Sequence, residues 1–578
     1  MTALADEVVA RLRAHGVELV FGIPGTHNLE LFRALGAAGV RVVDAHHEQG
    51  LGYAADAWSR VTGRPAVVVT TTGPGITNLI TALATSAAAS VPILAIAPGV
   101  PDAALGRGTG WLHDLPSQTG TLGTVVRAFR ASSVAEAAAF IDAVHRNWAT
   151  GRRAPAYLEL PVDLLDAVGD LPEASITDDA SVTDEASIAG EATGAPSVTD
   201  PLGPAVFAAA EALAAARRPA IVVGRGGCGP RAARAIRELA EALGAPVLTT
   251  ANAKGVLDET HPLALGLALR LDAGRMLLRE ADRVLVVGTD LGPSEFWGPC
   301  PLVGEQVIRV DIDPAGMVAN IVPERMLRGD AEVLVPALAD AVRADTDADA
   351  ERRTVPASDA VAEPRPGRSS TDRSELPPWA AAHVPGMRAQ MAREGAAYRA
   401  LHEIMLDELR LAGLDDVAVA GDSSQATYLG TAYFWPMRRP NRFLYPAGYG
   451  TLGYAVPAAI GAALTGVPER AVAVTGEGGL MFSVQEIATA ARLGLAIPIV
   501  VCSNGGFREI REGMLSRGIA PAAVDFAAPD FAQLARAMGA DGERVPAGGL
   551  ESPDGFRAAF RRALEASGPY VVDVTLPA

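Results

Sequence analysis

Twelve short apolar runs, separated by alanine-rich amphipathic stretches, set the terms on which this chain can fold. Four cover residues 18–21, 66–72, 91–97 and 156–160; four cover 219–223, 246–250, 283–287 and 306–312; the last four cover 417–420, 471–475, 497–502 and 570–574. Strands of this kind, interleaved with helical segments, form a parallel sheet with helices on both faces. The grouping predicts an α/β protein made of three doubly wound parallel-sheet domains.

Two stretches break the pattern. Residues 171–202 are acidic and rich in Ser, Thr and Ala, with an imperfect echo (ASITDD, ASVTDE) that offers little to bury. Residues 346–395 are dense in Pro, Asp, Arg and Ser, and Pro356, Pro364, Pro366, Pro377 and Pro378 interrupt any periodicity. Both are expected connectors. They leave an N-terminal domain over 1–170, a central domain over 203–345 and a C-terminal domain over 396–578.

The 578 residues exceed the ~100–200 of one ordinary domain, and 49% hydrophobic with 20% charged residues excludes a largely disordered chain. The formal charge of −18 repels phosphate backbones and anionic lipid, so neither nucleic acid nor a membrane is an expected partner. Cys228, Cys300 and Cys502 are too few and too scattered for a disulfide framework or a zinc site and are expected as free thiols. Asp6 and Glu7 lie where a secretory signal needs a basic start and an apolar run, so a cytoplasmic location is expected.

One segment carries chemistry. The run at 471–475 leads into Gly476, Glu477, Gly478 and Gly479, and a helix is expected to start near Ser483. Glycines at a strand-to-helix turn let backbone N–H groups approach an anion, and the helix N-terminus adds partial positive charge, so a phosphate group fits here. Asn504 ends the next apolar run. In a parallel sheet the two strand ends lie side by side, so Glu477, Asn504 and a carbonyl near Gly506 are candidate Mg²⁺ ligands. An ordinary glycine turn with a capping Asn is the competing explanation of either piece alone.

Together the two segments resemble the thiamine diphosphate signature, Gly-Asp-Gly followed further on by Asn-Asn, with Glu477 in place of the Asp and Ser503 in place of the first Asn. Residues 42–64 (VVDAHHEQGLGYAADAWSRVTGR) are similar to the segment of acetolactate synthases and related 2-oxo acid decarboxylases whose single glutamate activates thiamine; by position that residue is Glu48. Residues 20–32 and 70–83 are similar to the family's two substrate-side loops and bring in Pro24, Gly25 and Asn78 as cofactor contacts. Residues 445–464 resemble the stretch that props the bent cofactor, which implies Leu452 as the prop and the Gly450 carbonyl against the aminopyrimidine. Asp422, Ser423, Ser424 and Gln425 fall where the family contacts the diphosphate. The resemblance assigns Gly476, Gly478, Gly479, Asn504, Gly506 and Phe507 to the same cofactor, and Glu477, Asn504 and Gly506 to Mg²⁺.

The resemblance implies three domains, pyrimidine-binding, central Rossmann-like and diphosphate-binding, and a homodimer or homotetramer with active sites at the subunit interface. It implies a small 2-oxo acid as substrate: the acyl carbanion left by decarboxylation is held by the thiazolium ring, which no side chain can replace. Residues 507–521 with 529–540 look most like decarboxylases of 5-guanidino-2-oxopentanoate. An acetolactate synthase-type carboligase and a catalytically impaired relative remain open. His27, His113 and Gln118 are candidates for substrate contact by analogy, with satisfied surface polarity as the alternative; His46 and His47 are expected as structural neighbours. Thr71 and Thr72 occupy the loop where benzoylformate decarboxylase carries a catalytic His, so that proton relay does not transfer. Glu509 and Glu512 either meet a cationic substrate tail or form a solvated face with Arg508 and Arg511. Residues 224–229 (GRGGCG) formally fit a dinucleotide fingerprint, but the next strand ends in Thr249, Thr250 and Ala251 rather than an acid. FAD is possible but not indicated.

Overall fold

In the computed structural model the described residues are 3–165, 198–354, 375–550, 552 and 555–576. They build three six-stranded parallel sheets. The first has β1 (Leu19–Gly22), β2 (Arg41–Val43), β3 (Ala66–Val69), β4 (Ile93–Gly99), β5 (Arg127–Arg130) and β6 (Ala156–Pro161), in the order β2-β1-β3-β4-β6-β5. The second has β7 (Pro219–Val223), β8 (Val247–Thr249), β9 (Ala264–Gly266), β10 (Arg283–Val287), β11 (Val307–Asp311) and β12 (Arg325–Arg328), in the order β12-β11-β10-β7-β8-β9. The third has β13 (Val417–Gly421), β14 (Phe443–Leu444), β15 (Arg470–Gly476), β16 (Pro498–Ser503), β17 (Asp541–Val545) and β18 (Tyr570–Thr575), in the order β14-β13-β15-β16-β18-β17.

The first and third sheets share one topology and lie in one compact unit, residues 1–188, 400–431 and 444–578; the second sheet lies in another, residues 189–399 and 432–443. Strand β4 explains why the apolar runs are continuous. All seven of its residues are buried, with Ile93, Ala95 and Ala97 in one core and Leu94 and Ile96 in another. A strand covered on both faces has no polar side to alternate with.

The core containing Ile93 runs on into the third sheet through Ala418, Ala473 and Ile499. Helix Glu48–Thr62 packs there against helix Ala455–Ala463, with Leu51, Ala55, Val456 and Ile460 buried in the same core. The approach is close enough that a Cβ on Gly461 would lie 2.0 Å from the Ala54 carbonyl oxygen, so only glycine fits the crossing.

Parallel strands put all their carboxyl ends on one edge, and ligand crevices form where the strand order reverses. Those points are β1/β3 in the first sheet and β13/β15 in the third. In the second sheet the reversal falls at β7/β10, where Gly226 and Gly288 meet: the Gly226 N–H donates to the Gly288 carbonyl at 3.1 Å.

Residues 171–197 of the expected acidic connector and 355–374 of the expected Pro-rich one lie outside the described residues. Helix Val384–Glu394, within the second stretch, has a partner its sequence does not advertise: the Gln390 side-chain oxygen accepts the Asp272 N–H at 2.8 Å. Cys228, Cys300 and Cys502 form no disulfide among the described residues. No helix among the described residues is long and apolar enough to cross a membrane.

Candidate active site

The turn after β15 is tighter than its sequence suggests. Helical backbone begins at Glu477, in a single turn Glu477–Leu480, and helix Glu486–Arg492 follows. The helix expected near Ser483 starts at Glu486, and an extra turn precedes it: the chain turns as soon as the strand ends, because glycine removes the side chains that would prevent it. A Cβ on Gly478 would lie 2.5 Å from the Phe507 ring, and one on Gly479 would lie 2.7 Å from Asp422 Oδ2.

Glu477 is buried, and its Oε1 accepts three backbone N–H groups, from Asn504 at 2.8 Å, Gly505 at 2.7 Å and Gly506 at 2.8 Å. All three follow β16, the strand next to β15. The extra methylene of Glu over Asp lets one oxygen reach this nest, and charge-assisted bonds fix the carboxylate there. Asn504 Oδ1 is buried and accepts no hydrogen bond among the described residues. Such an orphan costs ~1–3 kcal/mol unless a ligand fills it. One carboxylate oxygen, this amide oxygen and the Gly506 carbonyl form a hard-oxygen donor set that fits a divalent cation on a diphosphate.

Asp422 follows β13 and braces the turn after β15. Its Oδ2 accepts the Thr475 hydroxyl at 2.6 Å, and its Oδ1 accepts the Tyr454 N–H at 2.5 Å. Its carboxyl is thus spent on the scaffold, while Ser423 and Ser424 remain partly exposed beside it. Gly450 has φ +69°, and a Cβ there would sit 3.8 Å from Ser423 Oγ. The loop with Gly450 and the half-buried Leu452 therefore lies along the same edge. Burial pushes the Asp422 carboxyl up to about 6. The folded protein then holds this proton more tightly than the unfolded chain, so stability from this group is present at low pH and lost as pH rises from about 4 to about 6. Asp422→Asn keeps both backbone bonds, and its amide can donate to Thr475. It is expected to unfold at the same temperature as the parent at pH 3, below both values, but to be more stable at pH 7.5, by ~3 kcal/mol at most. Thermal unfolding at the two pH values measures this.

The first domain supplies a second cluster. Glu48 opens helix Glu48–Thr62, whose N-cap His47 accepts the Gln49 N–H through Nδ1 at 3.1 Å. Asn78 donates its side-chain N–H to Glu48 Oε2 at 3.0 Å, and a Cβ on Gly75 would lie 3.5 Å from Glu48 Oε1. The carboxylate therefore lies over the first turns of helix Pro74–Ala88, beyond β3. His46 bonds Thr489 at 2.8 Å through Nδ1. Asn28 shapes the loop after β1: its Oδ1 accepts the Gly25 N–H at 2.7 Å, and its Nδ2 donates to the Ile23 carbonyl at 3.1 Å. A Cβ on Gly25 would lie 2.8 Å from Thr71, so the Pro24-Gly25 loop lies against the β3 loop.

His27, His113 and Gln118 come together at this edge. The two imidazoles meet edge to face with centroids 5.5 Å apart. Gln118 accepts the Gly73 N–H at 2.7 Å and donates to the Tyr157 hydroxyl at 2.6 Å, while a Cβ on Gly73 would strike the His113 carbonyl at 2.5 Å. Four atoms here are buried without a hydrogen-bond partner among the described residues: His27 Nδ1, His113 Nδ1, Thr71 Oγ1 and Thr72 Oγ1. Burial, and then His113, lowers the His27 pKa, which favours a neutral ring.

The expectation for Glu509 and Glu512 resolves into a mixed arrangement. Gln425 is buried and donates to both carboxylates, at 2.9 and 2.7 Å, and the Tyr428 hydroxyl donates to Glu509 at 2.7 Å. Arg508 pairs with Glu512 at 2.8 Å and Arg511 with Asp525 at 3.1 Å. Glu509 has no cationic partner among the described residues. Tyr428 and Asn28 had no signal in the sequence, being single polar residues inside loop and helix.

Twin parallel sheets with polar clusters at both switch points, one holding Glu48 and the other a glycine turn flanked by side-chain oxygens, define a multidomain α/β enzyme that binds at its strand ends. Comparison with known proteins gives the class its family. The family models "Thiamine pyrophosphate enzyme, N-terminal TPP binding domain", "central domain" and "C-terminal TPP binding domain" match residues 2–121, 206–338 and 422–574. A probable 2-ketoarginine decarboxylase of Pseudomonas aeruginosa is 37% identical over 93% of this chain and 89% of its own length. A putative acetolactate synthase large subunit of Mycobacterium tuberculosis is 31% identical over 99% of this chain and 97% of its own. A probable acetolactate synthase large subunit of Methanocaldococcus jannaschii is 27% identical over 99% and 91%. The chain belongs to the thiamine pyrophosphate enzyme family.

Proposed function

We propose that the protein is a thiamine diphosphate- and Mg²⁺-dependent decarboxylase of a 2-oxo acid with a cationic tail, of the 5-guanidino-2-oxopentanoate kind. Glu477, the orphaned Asn504 Oδ1 and the Gly506 carbonyl would hold Mg²⁺, with Gly476, Gly478, Gly479, Ser423, Ser424 and Phe507 around the diphosphate. When bound, the cofactor's thiazolium ring supplies the electron sink that lets a carboxylate leave as carbon dioxide. The chain's own part is positional and protonic. Glu48, steadied at Oε2 by Asn78, keeps Oε1 to hold and return a proton. His27 and His113, each with a buried unbonded Nδ1, would meet the substrate's polar end, and Gln118 fixes the loop that carries His113. Pro24, Gly25, Gly450 and Leu452 would complete the cofactor's walls. Two chains are inferred to complete each other's sites, as a homodimer or homotetramer in the cytoplasm, because the glutamate cluster and the glycine-turn cluster sit at separate switch points of the twin sheets.

The substrate class rests on one observation: Glu509 is a carboxylate held by two neutral donors, five residues beyond Asn504, with no cation of its own. A guanidinium tail supplies that cation. Glu509→Gln is expected to lower kcat/KM for a guanidino-bearing 2-oxo acid by ~10–100-fold, the worth of a charge-assisted bond, and to change that for a branched neutral 2-oxo acid less than about threefold. Equal losses on both substrates would remove the tail contact. Acetolactate synthase-type carboligation is the second reading, favoured by relatives that match 99% of the chain. Product identification separates the two: an aldehyde with carbon dioxide for the lyase, an acetohydroxy acid for the ligase.

A further inference from the structure

Two buried carboxylates in different domains share one neighbour. Tyr454 donates its backbone N–H to Asp422 Oδ1 at 2.5 Å and its phenolic O–H to Asp56 Oδ1 at 2.6 Å. Asp422 leads on to the Thr475 hydroxyl, one residue before Gly476. Asp56 lies in the helix that Glu48 opens and is closed off by the Ser86 hydroxyl at 2.9 Å and by Arg60 Nε at 2.6 Å. Asp56, Arg60, Tyr454, Asp422 and Thr475 are each at most 2% exposed. A second, shorter link runs beside the first. The Tyr53 hydroxyl accepts from Gln49, next to Glu48, at 2.7 Å and bonds Thr451, next to Leu452, at 2.6 Å, while the Tyr53 and Tyr454 rings meet edge to face at 5.3 Å.

Around these links the contact between helices Glu48–Thr62 and Ala455–Ala463 is made of small and branched apolar side chains. Apolar burial holds two helices together but is non-directional, so it resists sliding poorly. Hydrogen bonds to a buried charge are directional, and in low dielectric their loss is expensive. One chain's Glu48 and diphosphate turn are inferred to serve two sites, so a slip at this contact would displace each from its counterpart on the second chain, and a misplacement of about 1 Å is enough to cost catalysis heavily.

We propose that Tyr454 is a positioning residue that fixes the helix of Glu48 to the turn of Glu477, so that the carboxylate and the diphosphate floor move as one body. The catalytic half of this statement rests on the role proposed for Glu48; the mechanical half does not. Since the two domains of one chain are inferred to serve different sites of a dimer, the link also ties the geometry of one site to that of the other.

Tyr454→Phe keeps the ring and the backbone N–H and removes the phenolic hydroxyl that bonds Asp56. In the cofactor-free protein, hydrogen exchange followed by mass spectrometry is expected to accelerate about tenfold in peptides covering residues 48–56 and 422–427 together. At saturating cofactor, kcat is expected to fall about tenfold or more with KM for the 2-oxo acid within about twofold. Ser86→Ala, which also strips a bond from Asp56 but leaves the bridge, is the control and is expected to lower the melting temperature without either effect. Exchange changes confined to residues 450–458, kcat kept within about twofold, or the same paired loss in Ser86→Ala would each overturn the proposal. If the unmodified enzyme decarboxylates no 2-oxo acid, the functional reading fails, and the exchange experiment still decides the bridge.

Discussion

Glu48→Gln is expected to bind thiamine diphosphate as tightly as the parent and to lose ~10²–10⁴-fold in kcat, the usual worth of a positioned acid–base group. The substitution is clean because the structure gives the side chain few other duties. Among the described residues its one hydrogen bond comes from the Asn78 side chain, and a glutamine oxygen accepts that bond equally well. The carboxylate also stands at the first position of a helix, where its charge contributes ~0.3–1 kcal/mol, too little to unfold a fifteen-residue helix with twelve buried residues. What glutamine cannot do is take and return a proton. Cofactor-induced quenching of intrinsic fluorescence and steady-state rates on the same preparation separate binding from turnover. Turnover within about threefold of the parent would remove Glu48 from the mechanism and leave it as a helix-start carboxylate.

Which strands were legible follows from where they sit. The twelve apolar runs correspond to β1, β3, β4, β6, β7, β8, β10, β11, β13, β15, β16 and β18, which are the interior strands of the three sheets. The six strands without a signal, β2, β5, β9, β12, β14 and β17, are all edges. An interior strand is covered on both faces and reads as unbroken Val, Ile and Leu. An edge has one open side and mixes its chemistry: β5 is RAFR with no residue fully buried, β12 is RMLR, and β17 is DGERV. β14 is buried but only two residues long, too short for any period to appear.

The site divides along a different line. Glu477, Asn504 and the glycines stood out because the proposed metal–diphosphate turn would constrain residue type and spacing within a short segment. Glu48 stood out only through resemblance, since one carboxylate at a helix start is common. The contacts that organise the two clusters were invisible because they join residues far apart in the chain: Asp56 with Tyr454, Gly73 with Gln118, Gln425 with Glu509. Asp422 shows the limit most plainly. Resemblance put it among the diphosphate contacts, yet its oxygens are taken by Thr475, Tyr454 and Ala455, so it acts through the loops it braces.

Glu477→Gln tests the metal site with the least damage to the fold. Truncation to alanine would strand three backbone N–H groups at once, at ~1–3 kcal/mol each, and a loss of binding would then say only that the loop had collapsed. Glutamine can put its amide oxygen into the same nest, so the loop after β16 keeps its shape. The remaining group is then an NH₂ where a carboxylate oxygen stood, and a nitrogen that carries two protons repels Mg²⁺ rather than ligating it. Mg²⁺-dependent uptake of thiamine diphosphate is therefore expected to weaken at least ~100-fold, beyond what loss of an outer-shell partner costs, while the melting temperature of the cofactor-free protein shifts little. Calorimetric titration of the cofactor at graded Mg²⁺ measures the first, and thermal unfolding the second. Unchanged affinity would mean that the cation is held by Asn504 and backbone oxygens alone, and that the buried Glu477 serves only to gather the three amides.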